Sequence, residues 1–275
     1  MPNLKDIRSR IKSIKNTEKI TMAMKMVAAA KVKRAENRLK ANKPYAKALN
    51  DLFAKIHDKL QQADDATGES RYLSLLKRRD IKKVGVIVMG SDRGLCGAYS
   101  ANIIKQAINL NKLYLADNIE PVYYLVGNKV VRSFPSFCPG VKVIGNLGGM
   151  SAAPTNYDAQ QIIDTVLKAF EAGEIDAIQI LYTRFESMIS YKPTLLPLLP
   201  TEPVVSHESL PLVTRELPHL EAQKNKAIES ELLIEPNPAA MLDKLIPDYL
   251  ENLTFSALLE SAASELAARM TAMSN

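Results

Sequence analysis

Apolar residues recur at helical spacing from the start of the chain. Steps of three and four residues place four of them on one side of a helix: Leu4, Ile7, Ile11 and Ile14. The stripe continues weakly and then strengthens, at Ala23, Val27, Ala30, Tyr45, Leu49, Leu52, Ile56 and Leu60. Between Pro2 and Gly68 only Pro44 interrupts it, which predicts one helix of about 55 residues, roughly 80 Å long. Such a helix cannot bury its stripe within its own domain, so it needs a second long helix and a further surface around it.

The middle of the chain alternates between β-branched runs and helical patterns. Strands are predicted at 84–89, 121–126, 141–144, 177–183 and about 187–196. Helices are predicted at about 98–108, 128–134 and 156–172, the last stopped by Gly173. This alternation predicts an α/β fold, a Rossmann-like open sheet with largely parallel strands.

Prolines and then a second helical stripe mark the rest of the chain. Nine of the fifteen prolines lie between Pro193 and Pro247, so we expect 193–247 to be mostly extended or irregular. A stripe follows at Leu250, Leu253, Leu259, Ala262, Leu266, Met270 and Met273. The sequence therefore predicts a discontinuous coiled-coil shaft of 1–62 and 245–275, and an α/β domain of 78–200. A Pro-rich insertion and return segment of 201–244 lies between them.

Positive charge is concentrated on the first helix. Its first 43 residues hold 13 of the 36 Lys and Arg but only 3 of the 30 Asp and Glu. This pattern is typical either of a solvated face or of a face for an acidic partner, such as nucleic acid, an anionic membrane or an acidic protein segment. A nucleic-acid-binding module would show strongly salt-dependent binding of DNA or RNA. The two cysteines do not make a disulfide framework, and no stretch is apolar enough to span a bilayer.

A glycine-rich run, Gly90 to Gly97, lies between a predicted strand and a predicted helix. Open α/β folds bind ligands at this place, and backbone N–H groups there can approach a phosphate. The run lacks both the Lys-Ser/Thr pair of a P-loop and GxGxxG spacing, so a tight turn with close helix packing is the other interpretation. Asp92 and Arg93 can pair or cap the following helix, and Cys96 has the character of a small buried thiol. A phosphate-binding enzyme would lose ligand binding in Asp92→Ala.

A slim neck on the first helix precedes its basic cluster. Met22, Met24 and Met26 point to different sides of the helix, and three alanines follow them. The basic residues after the neck are Lys31, Lys33, Arg34, Arg38 and Lys40. This arrangement permits close approach by neighbours on several sides.

Six ordered blocks of sequence resemble the gamma subunit of rotary F-type ATP synthase, of the bacterial and photosynthetic type. They are Lys5–Ile11, Asn16–Thr21, Ala23–Ala29, Ser91–Gly97, Ile234–Pro238 and Ser264–Met273. The resemblance implies an antiparallel coiled coil of both chain ends, rising into a ring of three alpha and three beta subunits. It implies that the α/β domain lies at the foot, beside the epsilon subunit and the c-ring.

In function, the resemblance implies a non-catalytic rotor shaft that transmits torque and drives changes at the beta catalytic sites. It also implies regulation of ATPase activity and proton flow. No cofactor, metal or nucleic acid is expected. The complex would be peripheral to an energy-transducing membrane, on its cytoplasmic or stromal-equivalent side, with contact to the membrane only through the c-ring.

Residue by residue, the resemblance predicts two contact regions. Contacts between rotor and head are expected at Ile20, Met24, Lys25, Lys31, Lys33 and Arg34. Contacts at the foot with the c-ring and epsilon are expected at Glu235 and Leu232. The family motif containing Ser91, Asp92, Arg93, Gly94 and Cys96 has no role that the resemblance assigns.

Two departures from the family pattern affect these expectations. The family continues past Asn275 for about 36 residues, or ten turns at 3.6 residues per turn, so residues 1–20 are expected to lack their partner helix. Residues 201–230 resemble the photosynthetic-type insertion but lack its cysteine pair, so we expect no thiol switch.

Overall fold

The first helix of the shaft is continuous. The computed structural model describes residues 4–62, 75, 80–149, 153–200 and 238–274. Helix α1 spans Leu4–Gln62, which is 59 residues and includes Pro44. At 1.5 Å per residue this helix is about 88 Å long. The prediction of one long N-terminal helix is confirmed.

The last helix of the chain, which we label α5, starts earlier than predicted. It spans Pro238–Ala272 and contains Pro247, so the prediction of irregular structure is wrong for 238–247. Proline is tolerated in the first turn of a helix, and Pro247 removes only one backbone hydrogen bond. Leu242 and Ile246 are fully buried, which shows that the apolar face begins before Pro247. Burial of this face outweighs the missing bond.

Helices α1 and α5 pack side by side in opposite directions. Asn42 donates to Ser256 Oγ at 2.8 Å, and further along α1 Asn50 accepts from the Tyr249 hydroxyl at 3.0 Å. The buried residues of α1 follow alternating steps of four and three, the heptad spacing of coiled coils. They are Ala28, Val32, Ala35 and Leu39, and then Leu49, Phe53 and Ile56.

This buried side of α1 differs from the predicted stripe. Val27 and Tyr45, which we assigned to the stripe, are 56% and 54% exposed. Ala23 and Ala30 are exposed as well, so the prediction is wrong in register: small or apolar residues occupy several neighbouring positions here, and the contact with α5 uses the side of α1 that contains Ala28. The heptad steps extend backwards from Ala28 in unbroken register to the exposed residues Leu4, Ile7, Ile11 and Ile14.

The rest of the described chain forms an α/β domain. Its elements are β1 (Lys83–Met89), α2 (Tyr99–Ala116), β2 (Glu120–Val126), α3 (Asn128–Phe137), β3 (Lys142–Leu147), α4 (Asn156–Glu171), β4 (Ala177–Phe185) and β5 (Tyr191–Leu199). The strand order is β3-β2-β1-β4-β5. All neighbouring pairs are parallel except β4 with β5, which confirms a largely parallel sheet.

Both faces of the sheet are covered. On one face, α2 and α3 pack through Ile103 and Phe134 against strand residues such as Tyr123. On the other face, α4 and α5 pack through Ile162 and Leu250, and the lower part of α1 joins the same core. Helix α5 therefore lies between the sheet and α1.

Candidate functional site: the shaft and its joint with the α/β domain

Helix α5 occupies the crevice where open α/β folds bind ligands. Strands β2 and β3 follow on one side of β1, whereas β4 and β5 lie on its other side. Ligands of such folds bind at this switch in strand order, beyond the carboxyl ends of β1 and β4. Here the Thr183 N–H donates to Ser261 Oγ at 3.4 Å, and Ser264 Oγ donates to the Thr183 carbonyl at 3.2 Å. The cavity that remains between α5 and the glycine-rich run is about 20 Å³ and is lined by the carboxylates of Asp92 and Glu265, which argues against the phosphate-binding interpretation.

These bonds satisfy backbone groups at the end of β4 that no neighbouring strand reaches. Strand β1 pairs with β4 only as far as Leu181. Thr183 directs both its N–H and its carbonyl away from β5 and towards α5. Two residues further along β4, the Phe185 N–H points to the same edge and donates to Glu260 Oε2 at 3.2 Å. Side chains of α5 thus take the place of a neighbouring strand.

The bonds lie away from solvent. Thr183, Ser261 and Ser264 are 2%, 5% and 0% exposed. A buried backbone group that loses its partner costs about 1–3 kcal/mol. Burial also raises the pKa of Glu260, against the smaller opposing effects of the Phe185 N–H and of Arg184 and Lys43. We call the contact of Glu260, Ser261 and Ser264 with β4 the joint.

The glycine-rich run wraps around α5 beyond the joint. The Arg269 guanidinium donates to the Gly94 carbonyl at 3.4 Å and to Glu265 Oε1 at 2.6 Å. Tyr99 donates its hydroxyl to the Ser261 carbonyl at 3.1 Å, and Cys96 packs with it against α5. The pKa of Glu265 is raised by burial, although Arg269 lowers it. Two family motifs that are far apart in sequence therefore meet in the structure, and Cys96 is a buried thiol as predicted.

Asp92 caps a helix, but not the one predicted. Its Oδ1 accepts from the Asn128 N–H and side-chain amide at 3.0 Å each, and from the Gly149 N–H at 2.9 Å. The cap therefore serves α3 rather than α2, because the loops after parallel strands meet at one edge of the sheet. Gly90 fits the turn interpretation, since a Cβ there would lie 2.2 Å from Val130 Cγ2. Arg93 is exposed, and its charge lowers the pKa of Glu265.

The predicted head contacts lie on accessible parts of α1. Ile20 is 60% exposed, Met24 is half-buried, and Lys25, Lys31, Lys33 and Arg34 are exposed. Steps of three and four place Ile20, Met24, Lys31 and Arg34 on one face, next to the buried side of α1. Lys33 differs, since its ammonium lies 3.3 Å from Glu36 Oε2. Hydrogen bonds from Lys40 and then Lys33 lower the pKa of Glu36.

Comparison with known proteins identifies the family. A family model described as ATP synthase matches residues 3–275. The ATP synthase gamma chain of Cyanothece sp. (strain PCC 7425) is 40% identical over 285 residues, covering 100% of this chain and 88% of the relative. The chain belongs to the ATP synthase gamma chain family. The gamma chain of Picosynechococcus sp. (strain PCC 7002) is 42% identical with the same coverage.

A solved structure supports the fold of this gamma-chain family member. The match is to the central stalk and c-ring structure of the Tetrahymena thermophila mitochondrial ATP synthase, with a TM-score of 0.62. It covers 93% of this chain and 98% of the other, at 22% identity. The arrangement of terminal helices and α/β domain is therefore shared despite low sequence identity.

Some gamma-chain residues were missed and others remain predictions. Sequence reasoning did not find Thr183, Glu260 or Ser261, and gave Ser264 no role. Their local signal is weak, since Ser264 lies one helical turn from Glu260 and Ser261 but the same helix carries many other polar residues. Glu235 and Leu232, predicted at the foot, lie outside the described residues.

Proposed function

We propose that this chain is the central rotor shaft of a proton-translocating ATP synthase. It transmits torque between the membrane c-ring and a ring of three alpha and three beta subunits, and it drives the changes at the beta sites. The ATP chemistry lies in the beta subunits, so this chain is a non-catalytic subunit. The observation that carries the proposal is the relationship to ATP synthase gamma chains over all 275 residues, at about 40% identity.

The division of the chain follows this function. Residues 1–62 and 245–275, with the earlier turns from 238, form the antiparallel coiled-coil shaft. The Rossmann-like domain of 78–200 lies at the foot, and 201–244 contain the insertion and return segment. Glu235 and Leu232 contact the c-ring and epsilon there, which makes the membrane association indirect.

The upper part of α1 supports an enclosing partner. Four of its apolar residues are between 56% and 63% exposed and lie on different sides of the helix: Ile20, Met22, Met26 and Val27. Exposed apolar surface of this extent marks a protein interface. A single flat partner covers one side of a helix, whereas a ring covers all of them. The alpha and beta subunits supply such a ring.

The charge of α1 supports the same partner. Lys25, Lys31 and Arg34 are exposed below the apolar region. An acidic loop of the beta subunit, which the family resemblance implies, complements them. Such pairs at the rim of an interface steer association and orientation more than they add affinity. Ile20 and Met24 supply the apolar contact beside them.

The location of the complex follows from the c-ring contact. We place this chain on the cytoplasmic or stromal-equivalent side of an energy-transducing membrane. None of the helices in the described part of the chain has the length and hydrophobicity of a membrane span.

A rotation experiment tests this function. The chain is assembled with alpha, beta and epsilon, the alpha–beta ring is fixed to a surface, and a bead is attached to the α/β domain through Lys105→Cys on α2. This position is exposed, whereas Cys96 and Cys138 are buried. The proposal predicts one-way rotation of the bead with ATP. A stationary bead on a ring that hydrolyses ATP would refute it.

A further inference from the structure

We infer that the joint of Glu260, Ser261 and Ser264 with β4 fixes the angle between the foot and the shaft, so that torque enters the shaft through α5 rather than α1. The inference rests on the proposed rotor function and goes beyond it by naming the residues that couple the two parts.

The joint resists sliding because it uses the backbone of a strand. Thr183 both donates to Ser261 and accepts from Ser264, so a shift of α5 along β4 breaks both bonds. Ser264 lies one turn from both Glu260 and Ser261, so the three side chains fall within about 100° of the circumference of α5. Strand β4 lies inside the sheet, between β1 and β5. A force on the domain therefore reaches the joint through the backbone hydrogen bonds that link β4 to both neighbouring strands.

The joint and the helix pair lie back to back on the same turns of α5. Leu259, Ala263 and Leu266 pack against α1 at Val32 and Ala35. Between them, Glu260, Ser261 and Ser264 point to the sheet. The orientation of α5 relative to the sheet, which the joint fixes, therefore also fixes the orientation of α1, because α1 packs on the same turns of α5.

Among the described residues near these turns, helix α1 makes fewer hydrogen bonds to the α/β domain than α5 does. Arg38 donates to the Pro154 carbonyl at 2.6 Å, and this contact is only partly buried. Phe185 and Tyr191 of the domain also pack against the cluster that α1 and α5 form at this level. Such apolar contacts are non-directional, and they do not fix a rotational position as hydrogen bonds do.

The test begins with the double variant Ser261→Ala/Ser264→Ala in the assembled complex. Alanine keeps the helix and removes only the hydroxyls that bond Thr183. Amide hydrogen exchange at Thr183 is expected to rise roughly tenfold, equivalent to about 1.4 kcal/mol. Ser256→Ala is the matched control, because Ser256 bonds Asn42 of α1 and not the sheet.

The second readout is the angular spread of the bead on a stalled complex. The double variant is expected to widen the spread, while Ser256→Ala keeps the wild-type spread because its hydroxyl bonds Asn42 of α1. An unchanged spread in a double variant whose Thr183 exchange has risen would overturn the inference. Equal widening by Ser256→Ala would also overturn it. A wild-type complex that does not rotate with ATP would instead refute the rotor function.

Discussion

Replacing Phe53 with alanine is expected to destabilise the lower shaft strongly. Phe53 is fully buried and stacks on Tyr249 of α5, with ring centroids 4.5 Å apart and planes 17° apart. The Tyr249 hydroxyl in turn donates to Asn50 of α1. The pair therefore holds α1, α5 and the sheet core together at one point.

The magnitude follows from burial. Deleting a buried Phe side chain costs about 3–5 kcal/mol, which includes roughly 0.5–1.5 kcal/mol for the lost ring pair. With a urea dependence of about 3 kcal/mol per M, the unfolding midpoint falls by about 1–1.7 M. Phe137 on α3 offers a matched control, because it is 63% exposed. Its replacement with alanine is expected to change the free energy of unfolding by less than about 0.5 kcal/mol.

Urea unfolding of the full chain, followed by circular dichroism, measures both variants. A loss below about 1 kcal/mol for Phe53→Ala would contradict the packing described for the lower shaft, since a fully buried ring cannot be removed so cheaply. Equal losses for Phe53→Ala and Phe137→Ala would do the same.

Four further predictions concern the cap, the joint, the head and the foot. Asp92→Ala removes the acceptor that caps α3 and is expected to cost about 2 kcal/mol in urea unfolding. Burial raises the folded pKa of Glu260 above its ordinary 4.5, so stability falls as pH rises through that window. Glu260→Gln is therefore expected to gain stability over wild type as pH increases from about 4.5. Replacing Lys31 and Arg34 with glutamine is expected to slow assembly with the alpha–beta ring and weaken its salt dependence in stopped-flow mixing. Glu235→Lys is expected to leave ATPase activity nearly intact but impair proton pumping, measured in vesicles containing the whole complex.

Matched variants decide these four cases. Asp92→Asn keeps a side-chain oxygen as acceptor, so a loss equal to that of Asp92→Ala would argue against the cap. A constant difference between Glu260→Gln and wild type across the pH range would argue against a raised pKa. Lys47→Gln, on the exposed lower part of α1, should leave assembly unchanged. Glu120→Lys, at the exposed start of β2, should leave pumping unchanged. Equal loss of ATPase and pumping in Glu235→Lys would contradict the foot contact.

Periodicity was sufficient to predict most elements, because each is stabilised by the face it buries. The α/β class, the parallel strands and the long first helix follow from it. The buried side of α1 was misassigned because the run Val27, Ala28, Ala29 and Ala30 offers an apolar residue on several sides of the helix, and only packing on α5 selects Ala28. Proline content misled the prediction before Pro247, where tertiary packing outweighs the missing backbone bond.

The joint could not be predicted from a local pattern. Thr183 and Ser261 are 78 positions apart in sequence, and their bond exists only because β1 ends before β4 does. No spacing rule marks that mismatch of strand lengths. Likewise, the cap by Asp92 depends on which loops meet at the carboxyl edge of the sheet, which requires the strand order.

The most direct test of the central claim is co-elution of this chain with purified alpha, beta and epsilon subunits on a sizing column with mass detection. The rotor assignment predicts a stable complex that contains one copy of this chain for every three alpha–beta pairs. Elution of the chain apart from all of them would contradict the assignment.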